Sequence, residues 1–267
     1  MRIVRLLSES GPCYAVEREG HYSLCTGSLA EGFTPTDVPV ESLGLLAPVE
    51  PTVIFAIGLN YREHAEEMSK PIPEYPVVTM KNLSSLQAPG GAIELPVHLP
   101  SDQVDYECEL AVVIGKPCKN ASKETALDYV AGYTAANDVS ARDWQQIYSG
   151  GQWCKGKSFD TFCPLGPALV TADEIPDPDN LVIRTELNGE CVQASNTSDM
   201  IFSVAELIAF LSGSMTLPAG TLILTGTPPG VGIARKPQRF LQAGDEVTIE
   251  IEKIGRLTNP VVLEPMC

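Results

Sequence analysis

One stretch constrains this chain more than any other: residues 104–115, Val-Asp-Tyr-Glu-Cys-Glu-Leu-Ala-Val-Val-Ile-Gly. Successive side chains of a strand point to opposite faces. Read as one strand, Asp105, Glu107 and Glu109 share a face, and Tyr106, Cys108 and Leu110 share the other. The continuation, 111–114, is apolar throughout and reads as a strand entering a core. Carboxylates aligned at the edge of a core repel one another and resist desolvation. Protonation relieves that, and so does a hard cation held among oxygens, for which magnesium, calcium and manganese are suited. The competing reading is a half-exposed strand with a solvated acidic face. The rest of the chain has to decide between them.

Composition narrows the partners. With 18 Lys and Arg against 34 Asp and Glu in 267 residues, the net charge is −16. That excludes nucleic acid and anionic membrane surfaces as expected partners, since both require a basic patch. An acidic protein that binds an anion must gather positive charge locally, from a metal, a lysine or an arginine. No apolar run approaches a membrane span, and the first residues lack the apolar core of a signal peptide. Eight cysteines without a CxxC pair, several inside strand-like stretches, read as reduced thiols of a cytoplasmic protein.

Two units are expected: a small β-rich domain over 1–48 and a larger one over 49–267, joined at the proline-marked segment 46–51. In the larger unit, 53–58 is a buried strand running into Asn60-Tyr61-Arg62-Glu63-His64-Ala65-Glu66-Glu67. There Asn60 with Glu63 predicts a capping box, and His64 with Glu67 share a helical face. A carboxylate beside an imidazole suits a general base, and an exposed ion pair is the alternative. Residues 64–70 and the loop 82–91 together could form a flexible lid. Ser122 predicts a helix start for 123–130, and 131–140 a strand with Asp138 at its end. A helical turn at 141–146 puts Arg142 and Gln145 on one side, and Lys157 precedes aromatic residues that would draw it into an enclosed site. Asn188-Gly189 predicts a hairpin, and 203–211 an amphipathic helix with Val204, Leu207, Ile208 and Leu211 inward. The Gly/Pro loop after 221–224 offers backbone N–H groups to a substrate carboxylate, with Gly226 and Thr227 as candidates.

Together these segments resemble the fumarylacetoacetate hydrolase superfamily over about residues 51–265. The ordered set is Gly-Leu-Asn-Tyr-x-x-His-x-x-Glu (58–67), Asp-Tyr-Glu-Cys-Glu-Leu-Ala-Val-Val-Ile-Gly (105–115), Asn-Asp-Val-Ser-Ala-Arg-Asp-Trp-Gln (137–145), Lys-Ser-Phe-Asp-Thr-Phe-Cys-Pro-Leu-Gly-Pro (157–167) and Leu-Thr-Gly-Thr-Pro-Pro-Gly-Val-Gly (224–232). The last two look closest to the domain-containing-protein-2 subgroup. The resemblance implies an α+β, predominantly β fold, a mixed β-sandwich roll with short helices, in a homodimer. It implies Glu107, Glu109 and Asp138 as ligands of Mg²⁺, with Mn²⁺ or Ca²⁺ as substitutes, and leaves Asp105 a neighbour. It implies His64 and Glu67 as the catalytic dyad, Lys157 as the group polarising the substrate oxygen, and Arg142, Gln145, Gly226 and Thr227 as substrate-binding residues. Leu59, where many relatives carry Arg, and 81–85, where Lys-Pro-Ser or Lys-Pro-Thr is more usual, depart from the pattern.

The implied activity is metal-dependent chemistry on a small anionic 2-oxo acid. The first expectation is hydrolysis of a C–C bond in an acylpyruvate-type substrate through a metal-held enolate. The alternative is keto–enol tautomerisation or decarboxylation of oxaloacetate at the same site, with no attacking water. The remote alternative is a ligand-binding member without catalysis.

Overall fold

The structure, a computed structural model, describes residues 1–265. Its main element is a twelve-stranded mixed sheet. Across it lie Gly32–Pro39, His21–Ser28, Gly11–Arg18, Arg2–Ser8, Cys163–Thr171, Val130–Asn137, Cys108–Ile114, Thr221–Leu224, Val53–Gly58 and Val77–Lys81, with two short strands attached at the side. The first 48 residues therefore continue the sheet: Arg2–Ser8 pairs antiparallel with Cys163–Thr171, in register at Arg2 with Val170. A second sheet of five strands holds the hairpin Val182–Leu187 and Glu190–Asn196, then Glu246–Ile251, Gly255–Leu263 and Ile93–Leu95. The architecture is the mainly β, α+β arrangement expected from the sequence. Among the described residues no helix is long and apolar enough to cross a membrane.

The strand Cys108–Ile114 lies at the centre, buried along its whole length. Its alternation divides the core. Cys108, Leu110, Val112 and Ile114 join a cluster with Ile183, Val247, Ile249 and Leu257 of the second sheet. Ala111 and Val113 face the other way, onto Ile54, Ala56, Leu165 and Leu222. A strand covered on both faces reads as continuous apolar sequence, which is why 110–114 carries no polar residue.

Local signals succeeded where the side chains had no better partner. The Asn188-Gly189 turn closes its hairpin with both residues at positive φ, 54° and 78°. The helix Val204–Ser214 is capped by a reciprocal Ser203–Glu206 box and buries Val204, Leu207, Ile208 and Leu211. Three readings change. Residues 123–130 give only one 3₁₀ turn, Ala126–Tyr129, because Val130 already begins the strand that pairs with Ile114. The turn expected at 141–146 is helical from 142 but widens into the π-helical turn Trp144–Tyr148 and so runs two residues further. Asn60 does not cap the helix Arg62–Glu67, whose N-cap is Tyr61 without a side-chain bond. The Asn60 amide instead donates to Thr225 O and Phe202 O and accepts from Phe202 N, tying three loops together at a fully buried point.

Candidate active site

The sheet ladder ends where the carboxylates begin. Cys108 is the last residue of its strand to pair with Val130–Asn137, opposite Asn137. Beyond it the main chain is held by other groups. Glu107 N donates to Asn137 Oδ1, Cys108 N to Gln193 Oε1, and Asp138 N to Glu107 O. Two side-chain amides thus replace missing ladder partners, as buried N–H groups require. The result is that Glu107, Glu109 and Asp138 each place a carboxylate oxygen within 4.8 Å of the others, all three residues buried.

Asp105 is not part of this cluster. The stretch 104–115 is not one strand: Val104–Asp105 pairs separately with Ser140–Ala141, and 106–107 interrupts the ladder. Asp105 turns instead toward four donors, the N–H groups of Tyr106, Gly232 and Ile233 and the Arg142 Nε, at 2.7 to 3.0 Å. The expected common face of three acids is therefore replaced by a pair, with the third carboxylate supplied by Asp138 at the end of the neighbouring strand.

Three cations surround the cluster. Lys157 Nζ lies 2.8 Å from Glu107 Oε2, 2.5 Å from Asp138 Oδ2 and 2.9 Å from Ser140 Oγ. Its helical turn, Cys154–Lys157, presses onto the main chain at Gly156, where a Cβ would sit 2.5 Å from Gln145 N. Arg142 Nη1 is 2.7 Å from Glu107 Oε1 and 3.2 Å from Gln145 Oε1, so Arg142 and Gln145 do come together. Lys81 Nζ, with a fully buried side chain, holds Asp138 Oδ1 at 2.6 Å and Val139 O at 3.2 Å.

Protonation follows from this layout. Burial alone would lift the Glu107 carboxyl, but Arg142 and Lys157 outweigh it and hold it well below the usual range. Glu109 has no such cation against it. Burial, then the charges of Asp138 and Glu107, push its carboxyl well above the usual range, against only Lys157 and a hydrogen bond from Gly226 N. Burial opposes the Lys157 ammonium, and the surrounding carboxylates override it and raise its pKa. A crowded all-oxygen donor set with one carboxylate left uncompensated fits a hard divalent cation, which would let all three ionise.

The helix Arg62–Glu67 closes one side. His64 Nδ1 is 3.2 Å from Glu67 Oε2, and His64 is buried. The N-terminal end of this helix is fixed by Glu63 N donating to Asp199 Oδ2 and Arg62 Nη1 to Met200 O. Between helix and carboxylates lies a cavity of about 280 Å³. Its lining brings together His64, Glu107, Glu109, Arg142, Gln145, Lys157 and Thr227, with Ile57, Leu59, Met68, Lys70 and Trp153 completing the wall.

The Gly/Pro loop behaves differently from expectation. Its N–H groups hold the protein's own carboxylates: Gly226 N donates to Glu109 Oε2, Gly230 N to Glu67, and Gly232 N to Asp105 Oδ1. Gly226 is thus committed to Glu109 and is not free for a substrate. Thr227 stays in the wall, its Oγ1 accepting from Gln193 Nε2 at 2.9 Å. Sequence reasoning missed Gln193 and the role of Lys81. Gln193 bonds Thr185 within its own hairpin, but the partners that tie it to the site, Thr227 and Cys108, lie 34 and 85 residues away and leave no local signal. Lys81 ending an otherwise uncharged strand, Val77–Lys81, was the available hint.

Comparison with known proteins gives a consistent answer. Residues 53–262 match the family described as fumarylacetoacetate (FAA) hydrolase C-terminal. The chain is 53% identical to the mitochondrial oxaloacetate tautomerase fahd2 of Xenopus laevis over 222 residues, 83% of this chain and 69% of that protein. It is 50% identical to the mitochondrial oxaloacetate tautomerase FAHD2A of Homo sapiens over 226 residues, 84% of this chain and 71% of that one. Among solved structures, a fumarylacetoacetate hydrolase from Exiguobacterium antarcticum superposes with TM-score 0.88 at 36% identity, covering 99% of this chain and all of that one. A 2-hydroxyhepta-2,4-diene-1,7-dioate isomerase from Mycobacterium marinum gives 0.85 at 38% identity, covering both chains fully.

Proposed function

Since the chain belongs to the fumarylacetoacetate hydrolase family, we propose that it is a metal-dependent tautomerase interconverting the keto and enol forms of oxaloacetate. The observation that carries this reading is the pairing of the Glu107, Glu109 and Asp138 cluster with the His64–Glu67 dyad across one small cavity. The names of the relatives, tautomerases and an isomerase beside a hydrolase, favour the second of the two reactions read from the sequence over acylpyruvate hydrolysis.

In this reading Glu107, Glu109 and Asp138 would hold Mg²⁺, which would supply Lewis acidity toward the 2-oxo group. The protein's own groups do the rest. Glu67, held by Gly230 N, fixes the His64 ring through Nδ1 and leaves Nε2 for the substrate. His64 takes the proton from C3 of the keto form as a general base and, as a general acid, delivers it to the 2-oxygen of the resulting enolate to give the enol; the reverse reaction runs the same two transfers backwards. Lys157 places its ammonium beside Glu107 and Asp138, where negative charge grows on the oxygen as C3 loses its proton. Because Thr227 Oγ1 already accepts from Gln193, its own hydrogen is available to donate to the substrate carboxylate. No attacking water is needed, and none of these roles calls for one.

The test is spectrophotometric. Enol-oxaloacetate absorbs in the ultraviolet, and its conversion to the keto form should be accelerated by the protein with Mg²⁺ and not after chelation. His64→Ala should slow it by about 10² to 10⁴ while Mg²⁺ binding persists. Cleavage of an acylpyruvate with no acceleration of oxaloacetate interconversion would return the assignment to hydrolysis.

A further inference from the structure

Oxaloacetate carries a second carboxylate, and the cavity must meet it with charge. Three cations line the cavity: Lys70, Arg142 and Lys157. Two of them are already committed. Arg142 is paired with Asp105 and Glu107, and Lys157 with Glu107 and Asp138. Lys70, exposed at the edge of the cavity, makes no ion pair among the described residues, although the chain carries nearly twice as many acids as bases. What sets Lys70 apart from the other unpaired lysines of the surface is its place in the wall of the cavity that holds His64 and the carboxylate cluster, where an entering anion meets it.

The backbone places Lys70 deliberately. The helix Arg62–Glu67 ends with Met68 as C-cap, Ser69 at φ 53°, and two reversed hydrogen bonds, Ser69 N to Glu66 O and Lys70 N to Ala65 O. This is the Schellman arrangement, built here around a serine in the left-handed region that glycine favours. It turns the chain back at the helix end, so that Lys70 lines the same cavity as His64.

Charge counting places the second carboxylate at this residue. Around the cluster, Asp105, Glu107, Glu109 and Asp138 face Lys81, Lys157 and Arg142, an excess of one negative charge when all are ionised. A divalent cation turns this into an excess of one positive charge, which the 2-oxo carboxylate of the substrate neutralises. The distal carboxylate then has no counter-charge in the inner half of the cavity.

We propose that Lys70 is the specificity residue for the distal carboxylate, so that the site selects four-carbon 2-oxo dicarboxylates over their monoanionic counterparts. The inference rests on the oxaloacetate reading above for the identity of the substrate. It is tested by binding, which does not require turnover. The Mg²⁺-loaded protein is titrated calorimetrically with 3,3-difluoro-oxaloacetate, which has no C3 hydrogen and cannot enolise, and with its 4-methyl ester. The two probes share the metal-binding end and differ in the distal charge.

The wild type should bind the diacid about two- to fivefold more tightly than the ester, the range of an exposed ion pair. Lys70→Ala should erase that preference by weakening the diacid alone, and Lys70→Arg should keep most of it. Equal binding of both probes by the wild type overturns the proposal, and so does a Lys70→Ala variant that weakens both equally or retains the preference. Preference for the diacid, without acceleration of oxaloacetate interconversion, would sink the tautomerase reading and leave the role of Lys70 standing.

Discussion

Asp105 and Glu109 are buried carboxylates four residues apart, and neutralising them should move stability in opposite directions. Asp105 accepts from three backbone N–H groups and from Arg142, all at 3.0 Å or less. An asparagine offers one acceptor oxygen and turns an NH₂ group toward the remaining donors. Two buried donors left without partners cost about 1–3 kcal/mol each, so Asp105→Asn should lose roughly 4 kcal/mol. At about 2–4 °C per kcal/mol for a chain of this size, the midpoint should fall by roughly 8–16 °C. Glu109 has one backbone donor, Gly226 N, and faces the charges of Asp138 and Glu107. A glutamine keeps an acceptor for Gly226 and removes the repulsion. Glu109→Gln should therefore raise the midpoint of the metal-free protein by a few degrees, on the order of 1 kcal/mol. Mg²⁺ should then stabilise the wild type but not this variant. Scanning calorimetry at one scan rate, with chelator and with Mg²⁺, gives all the comparisons. If metal-free Glu109→Gln melts lower than wild type, the crowding of the cluster has been misread. If Asp105→Asn is neutral, the donors around it are satisfied in some other way.

Two further outcomes follow from the same geometry. Burial first, then Asp138 and Glu107, raise the Glu109 carboxyl in the folded protein, so the folded state holds this proton more tightly than the unfolded chain. Its contribution is complete below the ordinary carboxylate range and is lost as pH rises through the raised value, so metal-free midpoints should fall as pH rises above the ordinary carboxylate range. Saturating Mg²⁺ should flatten that slope, and binding in buffers of different ionisation enthalpy should reveal proton release. Gly226 has φ 101°, and a Cβ there would lie 2.7 Å from Asn60 Cβ. Gly226→Ala should therefore cost about 1–3 kcal/mol and, by displacing the N–H that holds Glu109, weaken Mg²⁺ binding by about tenfold, both measurable by calorimetry.

What could be read from the sequence was whatever depends on residues near each other in the chain. Alternation located the central strand, the Asn188-Gly189 pair gave the hairpin, and helical spacing paired His64 with Glu67 and Arg142 with Gln145. Asp138 at a strand end was also legible, because its strand ends in polar residues. The failures share one physical origin. Asn60, Asp105 and Gly226 each had a plausible local role, and each is claimed by a partner more than thirty residues away. Alternation could not separate Asp105 from Glu107 and Glu109, since the interruption at 106–107 is enforced by Asn137 and by the loop carrying Gly232.

The bond between Gly230 and Glu67 has a consequence for how molecules enter. Both oxygens of Glu67 accept from Gly230 N, at 2.9 and 3.1 Å, across 163 residues of sequence. Swinging the His64 helix outward strips this charged acceptor from its donor, at a cost of about 1.5–3 kcal/mol set against hydration of the freed carboxylate. A bias at the upper end of that range leaves the open form about one part in a hundred. The resting state is then the reactive one, with the imidazole already seated, and the entry rate is scaled by the rare population that admits ligand. Variants that loosen the Gly230 contact should bind faster and react less well, so the entry rate and the chemical rate are set against each other by a single backbone N–H.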